Sequence, residues 1–99
     1  MDLEAFLSSL KAPAPPAGLC AEVEALWWAR RGAWDRAHET VQRLSSLEAA
    51  WVHAHLHRIE GDLGNAAYWY RRAGRPLCTE SLEREWREIA AALLARRGT

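Results

Sequence analysis

Residues 24–44 read EALWWARRGAWDRAHETVQRL, and a related segment, HAHLHRIEGDLGNAAYWYRRA, follows at residues 53–73, an offset of 29 positions. At that offset Gly32 aligns with Gly61, and the position two residues later is apolar in both copies. Three residues after this apolar position, both copies have an alanine. A glycine turn with this spacing of apolar and small residues is typical of two antiparallel helices packed closely together. The repeat therefore predicts two helical hairpins.

The segments around the repeat predict additional helices and one linker. Residues 1–11 predict a short N-terminal helix, and residues 12–18, APAPPAG, predict a stiff proline-rich linker. Residues 19–99 are expected to form a single helical-repeat domain. We predict helices over about 19–31, 34–44, 46–60 and 80–97, and a further helix that begins at about Leu63 or Asn65 and ends at Ala73. No run alternates with period two, so the predicted class is all-α: two antiparallel hairpins, a C-terminal capping helix and the short N-terminal helix.

Two local signals concern helix ends and faces. Ser45 and Glu48 have the spacing of a capping box, which predicts that Ser45 caps the following helix. In the last helix the Glu and Arg residues between the apolar positions are expected to face water. The apolar positions that predict its buried stripe are Leu82, Trp86, Ile89 and Leu93.

Composition narrows the class of partner. Thirteen basic residues balance thirteen acidic ones, whereas a nucleic-acid-binding protein usually has a basic excess, so no nucleic acid partner is expected. The start, MDLEAFLSSLK, is acidic and does not resemble a secretory signal, and no stretch has the roughly 20 apolar residues of a membrane span. Cys20 and Cys78 lack CxxC spacing, which favours reduced thiols in a cytoplasmic protein.

The second copy resembles the second half of a tetratricopeptide repeat. The resemblance lies in Gly61-Asp62-Leu63 followed by Ala66, Tyr70 and Ala73, with Ala54 where that repeat places a small residue in its first helix. Residues 51–78, WVHAHLHRIEGDLGNAAYWYRRAGRPLC, are also similar to a family of short bacterial proteins, with some fungal relatives, that has no assigned activity.

The tetratricopeptide resemblance implies a groove lined by the first helix of each hairpin. The implied groove residues are Glu22, Leu26 and Ala29 from one hairpin and Trp51, His55 and Arg58 from the other. We therefore predict a non-catalytic interaction module that binds a protein, a peptide or a second copy of itself. Trp51 and Tyr68 are its predicted apolar anchors. Arg58 and Arg72 are predicted to pair with acidic groups, and His55 to make a polar contact.

Motifs of known enzymes are missing from the sequence, so the protein is not expected to be an enzyme or to carry a cofactor. No serine lies in a G-x-S-x-G elbow, and Ala54 follows His53 where an HExxH metalloprotease has a glutamate. Gly61-Asp62-Leu63-Gly64 reads as a turn between helices and not as a phosphate-binding loop.

An alternative to the interaction module is a ligand site on the fourth helix. His53, His57 and Glu60 share one face, being four and three residues apart. Two neutral imidazoles and a carboxylate at this spacing could hold a divalent metal or a small anionic ligand. The same side chains could instead be half-buried histidines packed between helices.

A second alternative is a structural subunit of a homo-oligomer. Repeat proteins usually need about three units, or added caps, to cover their apolar ends. Self-association would cover the ends that two hairpins leave exposed.

Overall fold

The computed structural model describes residues 1–97, with side chains described through Arg96, and consists of six helices. They are α1 (Leu3–Ser9), α2 (Ala21–Arg30), α3 (Trp34–Gln42), α4 (Leu47–Ile59), α5 (Leu63–Ala73) and α6 (Leu82–Arg97). Residues 1–97 contain no strand, so the predicted all-α class is confirmed. The last two residues of the predicted domain lie outside the described part. None of the described helices is long and apolar enough to cross a membrane.

The two hairpins have the same turn. Gly32 ends α2 and Gly61 ends α4, each with a φ of +83°, which glycine adopts without steric cost. The residue after each glycine donates its backbone N–H five residues back at 2.9 Å, from Ala33 to Trp28 and from Asp62 to His57. The two segments that align at an offset of 29 residues therefore also have the same backbone conformation at their turns.

Helix α4 lies at the centre of the fold, in contact with α2, α3, α5 and α6. Its side chains from Ala49 to His57 are all buried. A helix surrounded in this way needs no polar face for water, which suits a segment of alanines, large apolar residues and histidines. His53 and His57 lie against rings from α3 and α5, whereas His55 faces α6.

The terminal helices pack on each other and on the hairpins. The indole Nε1 of Trp86 in α6 donates to the backbone oxygen of Leu26 in α2 at 2.8 Å. Phe6 of α1 is fully buried and stacks on Trp86 with ring centroids 5.6 Å apart. A second bond, from Trp27 Nε1 to Ser9 Oγ at 3.1 Å, holds α1 near α2.

Helix α6 packs against α2 and α4, across the position of the groove implied by the tetratricopeptide resemblance. Glu85 of α6 lies 2.7 Å from Nδ1 of His55 and accepts from Nη1 of Arg58 at 2.8 Å. His55 is 1 % exposed and Trp51 is also buried. His55 and Trp51 are therefore largely covered and Arg58 is half-buried, because α6, the helix after the second hairpin, folds back onto the faces that a groove would need.

Two local predictions are wrong for identifiable reasons. The N-cap of α4 is Ser46 and not Ser45: Ser46 Oγ accepts from the backbone N–H of Ala49 at 3.0 Å and donates to Glu22 of α2 at 2.7 Å. Glu85 was expected to face water with the other charged residues of α6, yet it is buried. In both cases a contact with another helix decides the outcome: Ser46 bonds to Glu22 of α2, and Glu85 bonds to His55 of α4. A local sequence pattern carries no information about such contacts.

Candidate functional site

Three histidines from two helices converge beside the second hairpin. His38 belongs to α3, and His53 and His57 belong to α4. One ring nitrogen from each lies within 4.8 Å of the other two. The Nε2 atoms of His38 and His53 are 3.0 Å apart. The structure thus brings together two of the predicted ligands and adds His38, which was not predicted.

The helices explain this convergence. His53 and His57 are one turn apart on α4, and their rings are nearly parallel with centroids 4.9 Å apart. His38 joins them because α3 packs on α4. Trp34, one turn before His38, donates its Nε1 proton to the backbone oxygen of Leu56 at 2.7 Å. This bond fixes α3 against α4 and thereby positions His38.

Two indole rings cover the histidines. Trp34 stacks on His38 with centroids 4.8 Å apart and planes 10° apart. Trp69 of α5 stacks on His53 at 3.8 Å and 13°. The stacking restricts rotation of both imidazoles and covers one face of each ring.

Glu60, the third predicted ligand, lies beside the cluster. Its Oε1 is 3.4 Å from Nδ1 of His57. A carboxylate in contact with one ring nitrogen favours the tautomer in which that nitrogen carries the proton. The other ring nitrogen is then unprotonated and able to bind a metal. His57, Glu60 and Asp62 form a second cluster of potential metal ligands. Asp62 also caps α5, because its side chain accepts a hydrogen bond from the N–H of Asn65 at 3.2 Å.

Burial favours the neutral form of His38 and His53. Desolvation, reinforced by the neighbouring His38 and His57, lowers the pKa of His53 to about 4. Desolvation, together with His57, also lowers the pKa of His38. Both rings are therefore uncharged near pH 7, which is the protonation state that metal coordination requires.

The remaining predicted partner residues lie elsewhere. Tyr68 is 43 % exposed on α5, and Arg72 one turn later donates to its hydroxyl at 3.2 Å. Trp51 is covered by the guanidinium of Arg75, 3.5 Å from its ring centroid. The five residues predicted to bind a partner do not form one surface, since Tyr68 and Arg72 are exposed on α5 while the others are covered.

A second polar cluster, not foreseen from the sequence, surrounds Glu85. Burial alone would raise the pKa of this carboxyl, but hydrogen bonds from His55, Tyr70 and Arg58 lower it to about 2. The carboxylate is therefore ionised inside the protein and joins α4, α5 and α6. Because its three donors are close to it only in the folded chain, no local sequence pattern identifies it.

Comparisons with protein-family models, curated proteins and solved structures give no match to this chain. The tetratricopeptide resemblance therefore stays a prediction. The candidate site is supported by its own geometry.

Proposed function

We propose that this protein binds a divalent transition metal, with Zn²⁺ the best match, through His38, His53 and His57. The convergence of three imidazole nitrogens within 4.8 Å carries the proposal. Zn–N bonds of about 2.0–2.1 Å place two nitrogens of a tetrahedral site about 3.3 Å apart. The 3.0 Å between His38 and His53 is close to that value. The nitrogen of His57 lies within 4.8 Å of both and has to move closer when a metal binds.

Two features of the surroundings are those that a metal site requires. The depressed pKa values of His38 and His53 mean that a cation displaces no proton from these two rings at neutral pH. Glu60 contacts a ring nitrogen of His57, and histidines that bind metals commonly contact a carboxylate in this way. Nitrogen-rich sites prefer Zn²⁺, Cu²⁺ and Ni²⁺ to Mg²⁺ or Ca²⁺.

This proposal revises the alternative drawn from the sequence. His53 and His57 remain ligands, His38 replaces Glu60 as the third ligand, and Glu60 acquires an orienting role. The interaction module and the homo-oligomer stay predictions. The interaction module has less support, because only Tyr68 and Arg72 of its five residues are exposed.

Calorimetric titration of untagged, chelator-stripped protein with ZnCl₂ tests the proposal. We expect about one Zn²⁺ per chain, and no binding of Mg²⁺. His38→Phe keeps an aromatic ring against Trp34 but removes both nitrogens, so it should weaken Zn²⁺ binding by at least about 100-fold, a loss of roughly 2.7 kcal/mol. Circular dichroism shows whether the variant is still folded.

A thiol control separates this site from adventitious zinc. Cys20 and Cys78 are both partly exposed, and neither belongs to the histidine cluster. The double variant Cys20→Ser, Cys78→Ser should retain wild-type Zn²⁺ affinity. Loss of binding in this variant, or full binding in a folded His38→Phe protein, would overturn the proposal.

A further inference from the structure

Within the described residues, no fourth histidine, cysteine, aspartate or glutamate joins the three-histidine cluster. Two nearby carboxylates already have partners, since Glu60 contacts Nδ1 of His57 and Asp62 caps α5 through Asn65. Zn²⁺ in proteins is almost always at least four-coordinate. An ion held by these histidines therefore keeps one position for a ligand from outside the chain.

The accessible side of the cluster is at His38. His53 and His57 are about 95 % buried, whereas His38 is only half-buried. Asp35 and Glu39, which flank His38 on α3, are exposed. His38 is therefore the least buried of the three histidines, and the fourth position of a bound ion is expected to face its side of the cluster.

Charge decides which class of ligand the fourth position favours. Three neutral imidazoles compensate none of the charge of a divalent ion, and Glu60, one contact away, offsets about one of its two charges. A charge that stays uncompensated next to buried groups is costly. The exposed carboxylates of Asp35 and Glu39 act on a bound ion at a distance and through water, so they offset its charge less than a donor bonded to the ion would. A negatively charged donor on the metal therefore stabilises the site most directly.

The space between the two indole rings limits the size of the ligand. The indoles of Trp34 and Trp69 cover the rings of His38 and His53 at centroid distances of 4.8 and 3.8 Å. These rings restrict the approach to the ion on two sides. A ligand of few atoms fits such an approach better than a peptide or a nucleotide.

We infer, on the basis of the proposed function, that the bound metal keeps an open fourth position that takes a solvent molecule and exchanges it for a small monoanion. In the exchange the monoanion bonds to the metal as water leaves, with no change in oxidation state. Three histidines with one solvent-derived ligand are the donor set of an open zinc site and not of a closed structural one.

Cobalt(II) provides the test, because its visible absorption reports the ligands of the ion directly. The Cys20→Ser, Cys78→Ser protein, stripped of metal and loaded with about one equivalent of Co²⁺, is titrated with sodium azide at constant pH. We expect the visible bands to shift with azide along a saturable curve. Bands that do not respond to azide would overturn the open position while leaving metal binding intact. Failure of both Co²⁺ and Zn²⁺ to bind would instead overturn the proposed function.

Glu60→Gln distinguishes an open position from one occupied by Glu60. If Glu60 only orients His57, the variant should bind Co²⁺ about 10- to 100-fold more weakly and still respond to azide. If the response to azide appears only in the variant, then Glu60 occupies the fourth position in the parent protein and the inference fails.

Discussion

Nδ1 of His55 lies 2.7 Å from Oε1 of Glu85, and this contact joins α4 to α6 inside the protein. Both side chains are 1 % exposed. The same carboxylate also accepts hydrogen bonds from Arg58 and from the phenol of Tyr70. Glu85 thus holds α6 at the place where the tetratricopeptide resemblance implies a groove.

The buried carboxylate makes stability depend on pH in an acidic range. The pKa of Glu85 is about 2 in the folded protein, against an ordinary value of 4.5. The unfolded chain therefore takes up a proton first as the pH falls. The stabilisation is fully present above pH 4.5 and is lost as the pH falls through 2. We expect the free energy of unfolding, measured with urea, to decrease by about 3 kcal/mol across this range from Glu85 alone.

Substitution of Glu85 tests the assignment. Glu85→Gln leaves the largely buried guanidinium of Arg58 without its counter-ion and should cost about 3–5 kcal/mol at pH 7. The loss of stability between pH 4.5 and 2 should also become smaller. Glu88, exposed on the same helix, provides the matched control: Glu88→Gln should change stability by less than about 0.5 kcal/mol. Equal stabilities of the two variants would contradict the role given to Glu85.

The N-terminal helix is expected to be an integral part of the fold. Phe6 is fully buried and stacks on Trp86, which in turn donates to the backbone of α2. Phe6→Ala should therefore reduce the free energy of unfolding by about 3–5 kcal/mol. Ser8→Ala, at an exposed position of the same helix, should have little effect. A cost below about 1 kcal/mol for Phe6→Ala would show that α1 is not docked in solution.

The hairpins were readable from the sequence because their determinants are local. Gly32 and Gly61 each have a positive φ that ends a helix, and such a residue leaves a clear signal in a single sequence. His53 and His57 were also predictable as neighbours, because four residues make about one helical turn. In each case the physical cause lies within a few residues of the feature.

His38 and Glu85 were missed because packing between helices decides their roles. His38 lies one turn after Trp34, on the face of α3 that packs on α4. This spacing was the one signal in the sequence that could have indicated a contact between His38 and His53. Glu85 lies between the apolar positions of α6, where a carboxylate normally meets water. Only the meeting of Arg58, His55 and Tyr70 in the folded chain makes its burial favourable.

Substitution of two glycines in the second hairpin, Gly61 and Gly64, tests the backbone conformation of the turn. Gly61 has a φ of +83°, whereas Gly64 lies in α5, and a Cβ added at either position meets no atom within 4 Å. Gly61→Ala should therefore cost about 1–2 kcal/mol through backbone strain alone. Gly64→Ala should stabilise the protein by about 0.4–1 kcal/mol, because it restricts the unfolded chain and favours helix. Thermal unfolding of the two variants should show shifts of opposite sign; shifts of the same sign would contradict the turn described here.

Metal removal should lower the melting temperature, because the three ligands join α3 to α4 only in the folded chain. A ligand that binds the native state alone, at about 100 times its Kd, adds about 2.7 kcal/mol to the free energy of unfolding. For a domain of this size that corresponds to a rise in Tm of roughly 10–20 °C. Scanning calorimetry with Zn²⁺ and then with excess EDTA should show the rise and its reversal. The folded His38→Phe protein should show little of either, since it lacks the ligand from α3. A rise of equal size in that variant would place the stabilising metal elsewhere on the chain.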